Sequence, residues 1–136
     1  MDKLLSLVVP VYNEEECILE FISQVRSELD DSPLHYEIVF ADDGSTDKTV
    51  ELIRGEIGND SRIRLVELSY NHGKQAALTA AVTYSNGDYL IYMDPDLQDP
   101  PKEISRFIAK IEEGYDLVFG VRESKEAGFV DVLFSK

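Results

Sequence analysis

The 136 residues, 43% of them apolar, suffice for one domain around one hydrophobic core and exclude a collagenous, coiled-coil or disordered chain. A net charge of −14 excludes free nucleic acid as a partner, because phosphate contacts need clustered Lys and Arg, but it leaves room for an anionic ligand bridged by a cation. The single cysteine, Cys17, excludes a disulfide framework, and no run approaches the roughly 18–20 apolar residues of a membrane span.

The chain starts Met-Asp-Lys and enters an apolar run at once, unlike a signal peptide. A cytoplasmic location is expected, peripheral to the inner face of a membrane at most. Residues 4–10 (LLSLVVP) read as a buried strand. Asn13 and Glu16 have capping-box spacing before Ile18, Phe21, Ile22, Val25 and Leu29, which recur at helical period. Cys17 is expected to face the core from that helix.

The alternation then repeats. Residues 36–41 predict a second strand, Asp42-Asp43-Gly44-Ser45 a turn in which Ser45 caps a helix, and residues 46–57 that helix. Residues 62–68 predict a third strand, and 73–85 a helix of small residues suited to close packing on a sheet. Residues 88–93 predict a fourth strand. Asp99 is expected to cap a helix with Pro100 at its first position, and residues 116–121 form a fifth strand. The order βαβαβαβαβ predicts a mostly parallel sheet with helices on both faces.

Ligands of such sheets bind at the carboxyl ends of the strands. Acidic residues gather there. Asp94 and Asp96 flank Pro95 at the end of the fourth strand, spaced to converge on one hard cation, Mg²⁺ or Mn²⁺. Asp42 is a further candidate, able to accept hydrogen bonds from a base edge or a ribose. Lys74 opens the third helix, where phosphate is favoured, although a solvated surface charge explains it equally well. His72 and His35 have no sequence neighbours that suggest chemistry. The segment is not a P-loop, since Leu68 stands where a glycine is needed and Gln75 where a hydroxyl is needed. An EF-hand fails at Asp99 and Ser105. A phosphatase of the haloacid dehalogenase type would carry its acidic pair after the first strand.

Four motifs stand in order: VPVYNEE at 9–15, DDGSTD at 42–47, NHGK at 71–74 and DPDLQDPP at 94–101. Together they resemble family 2 glycosyltransferases of the GT-A fold, and the last resembles the branch of dolichyl-phosphate mannose synthases and bactoprenol glucosyltransferases. The resemblance implies that Pro10, Val11, Tyr12 and Glu14 line a nucleoside pocket and that Asp42 meets the base. It implies that Asp94 and Asp96, with Pro95 and Gln98, engage the metal and the donor diphosphate, and that Arg122 reaches that diphosphate. The implied reaction is inverting transfer from a UDP- or GDP-sugar to an acceptor, polyprenyl phosphate at a membrane in this branch. Homo-oligomers are compatible with it.

On this reading residues 1–122 are the nucleotide-sugar-binding core. Residues 123–136 begin an acceptor-side or interface region that stops short, so the chain is expected to be a fragment, weak or inactive in transfer alone. Phe129, Val130, Leu133 and Phe134 have a spacing that fits the start of an interfacial helix or a segment covering the sheet edge. The rivals are a receiver-like phosphoacceptor domain and a non-catalytic nucleotide-binding fragment. A receiver needs acids after its first strand, where this chain has Pro10-Val11-Tyr12-Asn13, and a lysine after its fifth, where it has Arg122.

Overall fold

The computed structural model describes residues 2–124 and 128–135, with side chains up to residue 118. Strand β1 (Leu4–Val11) leads to helix α1 (Ile18–Leu29), β2 (His35–Asp42) to α2 (Thr49–Ile57), and β3 (Ile63–Glu67) to α3 (Lys74–Tyr84). Then come β4 (Tyr89–Tyr92), a 3₁₀ turn at Pro101–Glu103, α4 (Ile104–Glu112), β5 (Leu117–Ser124) and β6 (Gly128–Ser135).

The first four strands form a parallel sheet in the order β3-β2-β1-β4. The alternation of side chains along β1 explains why both faces are covered. Leu5, Leu7, Val9 and Val11 face one way, into a core shared with Ile18, Phe21, Ile22, Val25 and Leu29 of α1, Ile53 of α2, and Ile104 and Ile108 of α4. Val8 faces the other way and meets Val39, Ala41 and the α3 residues Ala77 and Ala81. The small side chains on α3 let that helix lie close to the sheet.

On the α3 face, at the amino ends of the strands, a polar cluster joins three strands. Ser6 Oγ donates to Glu37 Oε1 at 2.6 Å, Arg64 reaches Glu37 Oε2 at 3.2 Å, and the Asn86 N–H donates to Glu37 Oε1 at 2.7 Å. Among the described residues no buried side-chain oxygen or nitrogen lacks a partner.

Three expectations fail in the last third. β5 does not extend the parallel sheet; it pairs antiparallel with β6 in a separate two-stranded sheet, and it runs on past residue 122 to Ser124, with shifts of register on either side of that residue. Residues 128–135 form that strand rather than an interfacial helix. A short apolar run fits either period, and aromatic and β-branched residues such as Phe129, Val130 and Val132 favour the strand. The cap of the fourth helix also differs. The 3₁₀ turn begins at Pro101, and its N-cap residue is the extended Pro100 and not Asp99.

Strand order reverses at β1: β2 and β3 lie on one side of it and β4 on the other. A crevice therefore opens between the carboxyl ends of β1 and β4, where the crossovers leave in opposite directions.

A candidate donor-binding cleft at the carboxyl ends of β1 and β4

Three loops meet at this crevice, and hydrogen bonds between them fix their shapes. After β1, Asn13 takes a left-handed conformation (φ 51°). Its N–H donates to Ser45 Oγ at 2.9 Å, and its Oδ1 accepts the Thr46 N–H at 2.8 Å. Glu14 N–H donates to Thr49 Oγ1 at 2.8 Å, and Lys48 N–H to Glu15 Oε2 at 3.0 Å. Asn13 therefore binds the β2–α2 loop and does not cap α1. That helix starts at Ile18, where the Glu14 carbonyl accepts the N–H groups of Cys17 and Ile18. Ser45 is likewise engaged elsewhere, and α2 begins only at Thr49, whose N–H donates to Asp47 Oδ1 at 2.9 Å.

The adjacent acids Asp42 and Asp43 have different tasks. Asp42 is buried, and its carboxylate accepts the N–H groups of Gly44 and Ser45 at 3.1 and 3.0 Å and the Ser45 hydroxyl. Those bonds turn it into its own loop and off the cleft wall. Asp43 lines the cleft and accepts the His72 N–H at 2.7 Å and the Gly73 N–H at 3.1 Å. Gly44, at φ +80°, lies against the next loop so closely that a Cβ would stand 2.7 Å from the Asn71 nitrogen.

After β4, Asp94 enters the cleft. Its Oδ1 accepts the Tyr92 hydroxyl at 2.9 Å and lies 2.7 Å from Lys74 Nζ. Asp96 Oδ1 accepts the Gln98 N–H at 3.1 Å across a turn in which Leu97 has φ 65°.

Pro10, Val11, Tyr12, Glu14, Lys74 and Asp94 thus come together, with Asp43 and Ala77, around a cleft of about 120 Å³. Asp96 lines a neighbouring groove of about 430 Å³ with Asn13, Glu14, Glu15, Glu16, Cys17 and Asp47. Glu14 is the wall common to both. Pro95 and Gln98 belong to the connecting turn and line neither. The side chain of Arg122 lies outside the described residues.

Glu14 feels the acids of both pockets. Burial pushes its pKa up; the Cys17 hydrogen bond opposes this, and the charges of Asp96, Asp94 and Asp47 add to the rise. Cys17 is not the core-facing helical residue expected. It precedes the first turn of α1, half-buried, and its thiol contacts Glu14 Oε2 at 3.3 Å. Burial, followed by that hydrogen bond, pushes the thiol up to about 12, so it stays protonated and is no nucleophile at neutral pH. His72 is more than a loop residue: its N–H anchors Asp43, and its ring stacks on exposed Tyr70 at a centroid distance of 3.9 Å.

Glu14, Asp94 and Asp96 themselves offer carboxylate oxygens, the donor type that suits a hard divalent cation. Among the described residues no three such groups converge tightly enough to hold a metal alone. A site of this kind needs ligand oxygens to complete it, as Mg²⁺ commonly does with one or two carboxylates plus substrate phosphates.

The Glycosyl transferase family 2 model matches residues 6–132, and the chain belongs to that family. It is 40% identical over 121 residues to the "Uncharacterized glycosyltransferase YkcC" of Bacillus subtilis, covering 89% of this chain and 38% of that protein. It is 39% identical over 135 residues to an undecaprenyl-phosphate 4-deoxy-4-formamido-L-arabinose transferase of Salmonella choleraesuis, covering 98% and 40%. The chain thus spans about two fifths of the length of these relatives.

Among solved structures, S. aureus TarS 1–349 in complex with UDP superposes with a TM-score of 0.71 at 25% identity, over 91% of this chain and 36% of that one. The mannosyltransferase PcManGT from Pyrobaculum calidifontis, in complex with GDP-Man and Mn²⁺, gives 0.78 at 23% identity, over 91% and 36%, a likeness of fold alone. The fold is the GT-A arrangement that the motifs imply. Among the described residues no helix is long and apolar enough to cross a membrane.

Proposed function

We propose that this chain forms the donor side of an enzyme that transfers a sugar from a nucleoside diphosphate to polyprenyl phosphate, with inversion at the anomeric carbon. The observation that carries the reading is the meeting of Pro10, Val11, Tyr12 and Glu14 from β1 and its loop with Asp94 from β4, in one cleft at the strand-order reversal. The nucleoside lies along the β1 side and the diphosphate points toward Asp94 and Asp96. Similarity to an undecaprenyl-phosphate sugar transferase supports the acceptor class. The UDP and GDP-Man complexes of the fold relatives support a nucleotide-sugar donor.

In this reading an oxygen of the acceptor phosphate attacks the anomeric carbon. The bond from that carbon to the diphosphate oxygen breaks, and the electron pair leaves on the nucleoside diphosphate. Asp94 and Asp96 would hold Mg²⁺ or Mn²⁺, which when bound supplies positive charge for the leaving diphosphate. The acceptor phosphate is already an anion near neutral pH, so the protein need supply no strong base. Asp43 holds the Lys74 end of α3 in place. Asp42 serves the turn that shapes the nucleoside wall, not the base directly.

Calorimetry of the chain with UDP- and GDP-sugars, with and without Mn²⁺, tests the proposal. Binding of one nucleotide class that weakens at least tenfold on chelation is expected. Equal affinity with and without chelator, or no binding of either class, overturns it.

A further inference from the structure

Lys74 and Asp94 come from elements 20 residues apart, α3 and the loop after β4, and meet at 2.7 Å inside the cleft. The ammonium is held on a second side as well: Nζ lies 5.6 Å from the Tyr92 ring centroid, and the Tyr92 hydroxyl donates to the same Asp94 oxygen. The base of the lysine is fixed, because the N–H groups of His72 and Gly73 are bonded to Asp43. Its four-carbon stem remains free to swing. The Lys74 side chain is 58% exposed and that of Asp94 28% exposed, so water screens the pair and it is easily exchanged.

We propose that Lys74 is an internal counter-ion that occupies Asp94 until a divalent cation arrives, and that it then turns to the donor's diphosphate, so that metal and diphosphate bind as a coupled pair. This inference rests on the donor-site reading above. A metal at Asp94 Oδ1 competes with the ammonium for the same oxygen, and repulsion between the two cations favours release of the ammonium. A diphosphate entering the cleft draws the same ammonium away from Asp94 and uncovers the metal ligand. Each ligand therefore prepares the site for the other, and the coupling is reciprocal. Lys74 acts here as a positioning residue that makes metal entry depend on the donor, while it balances the charge of Asp94 in the free protein.

The opposite signs expected for two ligands test the idea. In Lys74→Met, bare Mn²⁺, followed by the electron-spin signal of the free ion, binds at least threefold more tightly than in the unaltered chain. Metal-free nucleoside diphosphate binds more weakly, and the mutual enhancement between the two shrinks. Tyr92→Phe, which keeps the ring and removes the hydroxyl contact to Asp94, shifts Mn²⁺ affinity in the same direction by less. Lys102→Met, at an exposed lysine of the 3₁₀ turn before α4, controls for the change in net charge and leaves Mn²⁺ affinity within twofold. Unchanged or weaker Mn²⁺ binding in Lys74→Met, or an equal gain in Lys102→Met, overturns the proposal. If the unaltered chain binds no nucleotide in the presence of Mn²⁺, the donor-site reading itself falls.

Discussion

The carboxylate of Asp43 accepts the main-chain N–H of His72 across 2.7 Å, tying the turn after β2 to the start of α3. The same carboxylate takes the Gly73 N–H, so α3 begins at a fixed place and Lys74 comes to face Asp94. Replacing Asp43, itself buried, with Ala leaves two part-buried amides without their charged acceptor. A loss of about 1–3 kcal/mol is expected, read as a lower urea midpoint with unchanged slope. Donor binding weakens together with stability, because the α3 start loosens. Full stability in Asp43→Ala would show that the two loops are held by something else.

Gly44 makes that junction sterically. At φ +80° with main-chain atoms of Tyr70 and Asn71 under 3 Å from any Cβ, it admits no side chain without movement of backbone. Gly44→Ala should cost about 1–3 kcal/mol from backbone strain alone, whereas Gly55→Ala, in open space within α2, should be neutral or stabilising. Thermal midpoints of the two variants decide this directly.

Asp94→Asn and Asp96→Asn keep the size of each side chain and remove its charge. Neither residue belongs to the core clusters, so stability should change by less than about 0.5 kcal/mol. Metal-dependent donor affinity should drop about 10- to 100-fold in each, corresponding to one charge-assisted contact of about 1.5–3 kcal/mol. Calorimetry at fixed Mn²⁺ measures it. If Asp96→Asn binds donor as the unaltered chain does, the groove beyond Glu14 plays no part in holding the metal.

Acid sensitivity should come in part from Glu37. Burial raises its pKa, but hydrogen bonds from Ser6, the Asn86 N–H and Arg64 outweigh this and hold it below the ordinary glutamate value of 4.5. A folded pKa below the unfolded one stabilises the fold above 4.5, and that contribution fades as pH falls through the lowered value. Glu37→Gln should therefore be less stable than the unaltered chain at pH 7, with the gap narrowing below about pH 4. Urea midpoints from pH 7 to 3 test the sign; a constant gap would mean that Glu37 does not titrate differently on folding.

Much of the architecture was legible before any coordinates. The apolar runs of β1 and β2, the helical period through Ile18, Phe21, Ile22, Val25 and Leu29, and the small residues of α3 are properties of neighbouring residues, and neighbours are what a sequence displays. The strand-end acids Asp94 and Asp96 were visible for the same reason. Helix starts were misread wherever a good capping residue was taken by a distant loop, as Asn13 was by Thr46 and Ser45 by Asn13. The hairpin of β5 and β6 was missed because an apolar run as short as residues 129–134 suits two periods.

The sequence by itself determined the alternation of strands and helices and the family of motifs at the strand ends, because periodicity and turn chemistry act over a few residues. Only the tertiary structure decided which of the adjacent acids Asp42 and Asp43 would face the cleft, and that Lys74 would meet Asp94. Those outcomes depend on amides and charges brought from remote loops, and a carboxylate turns toward whichever donors the packed neighbours present to it.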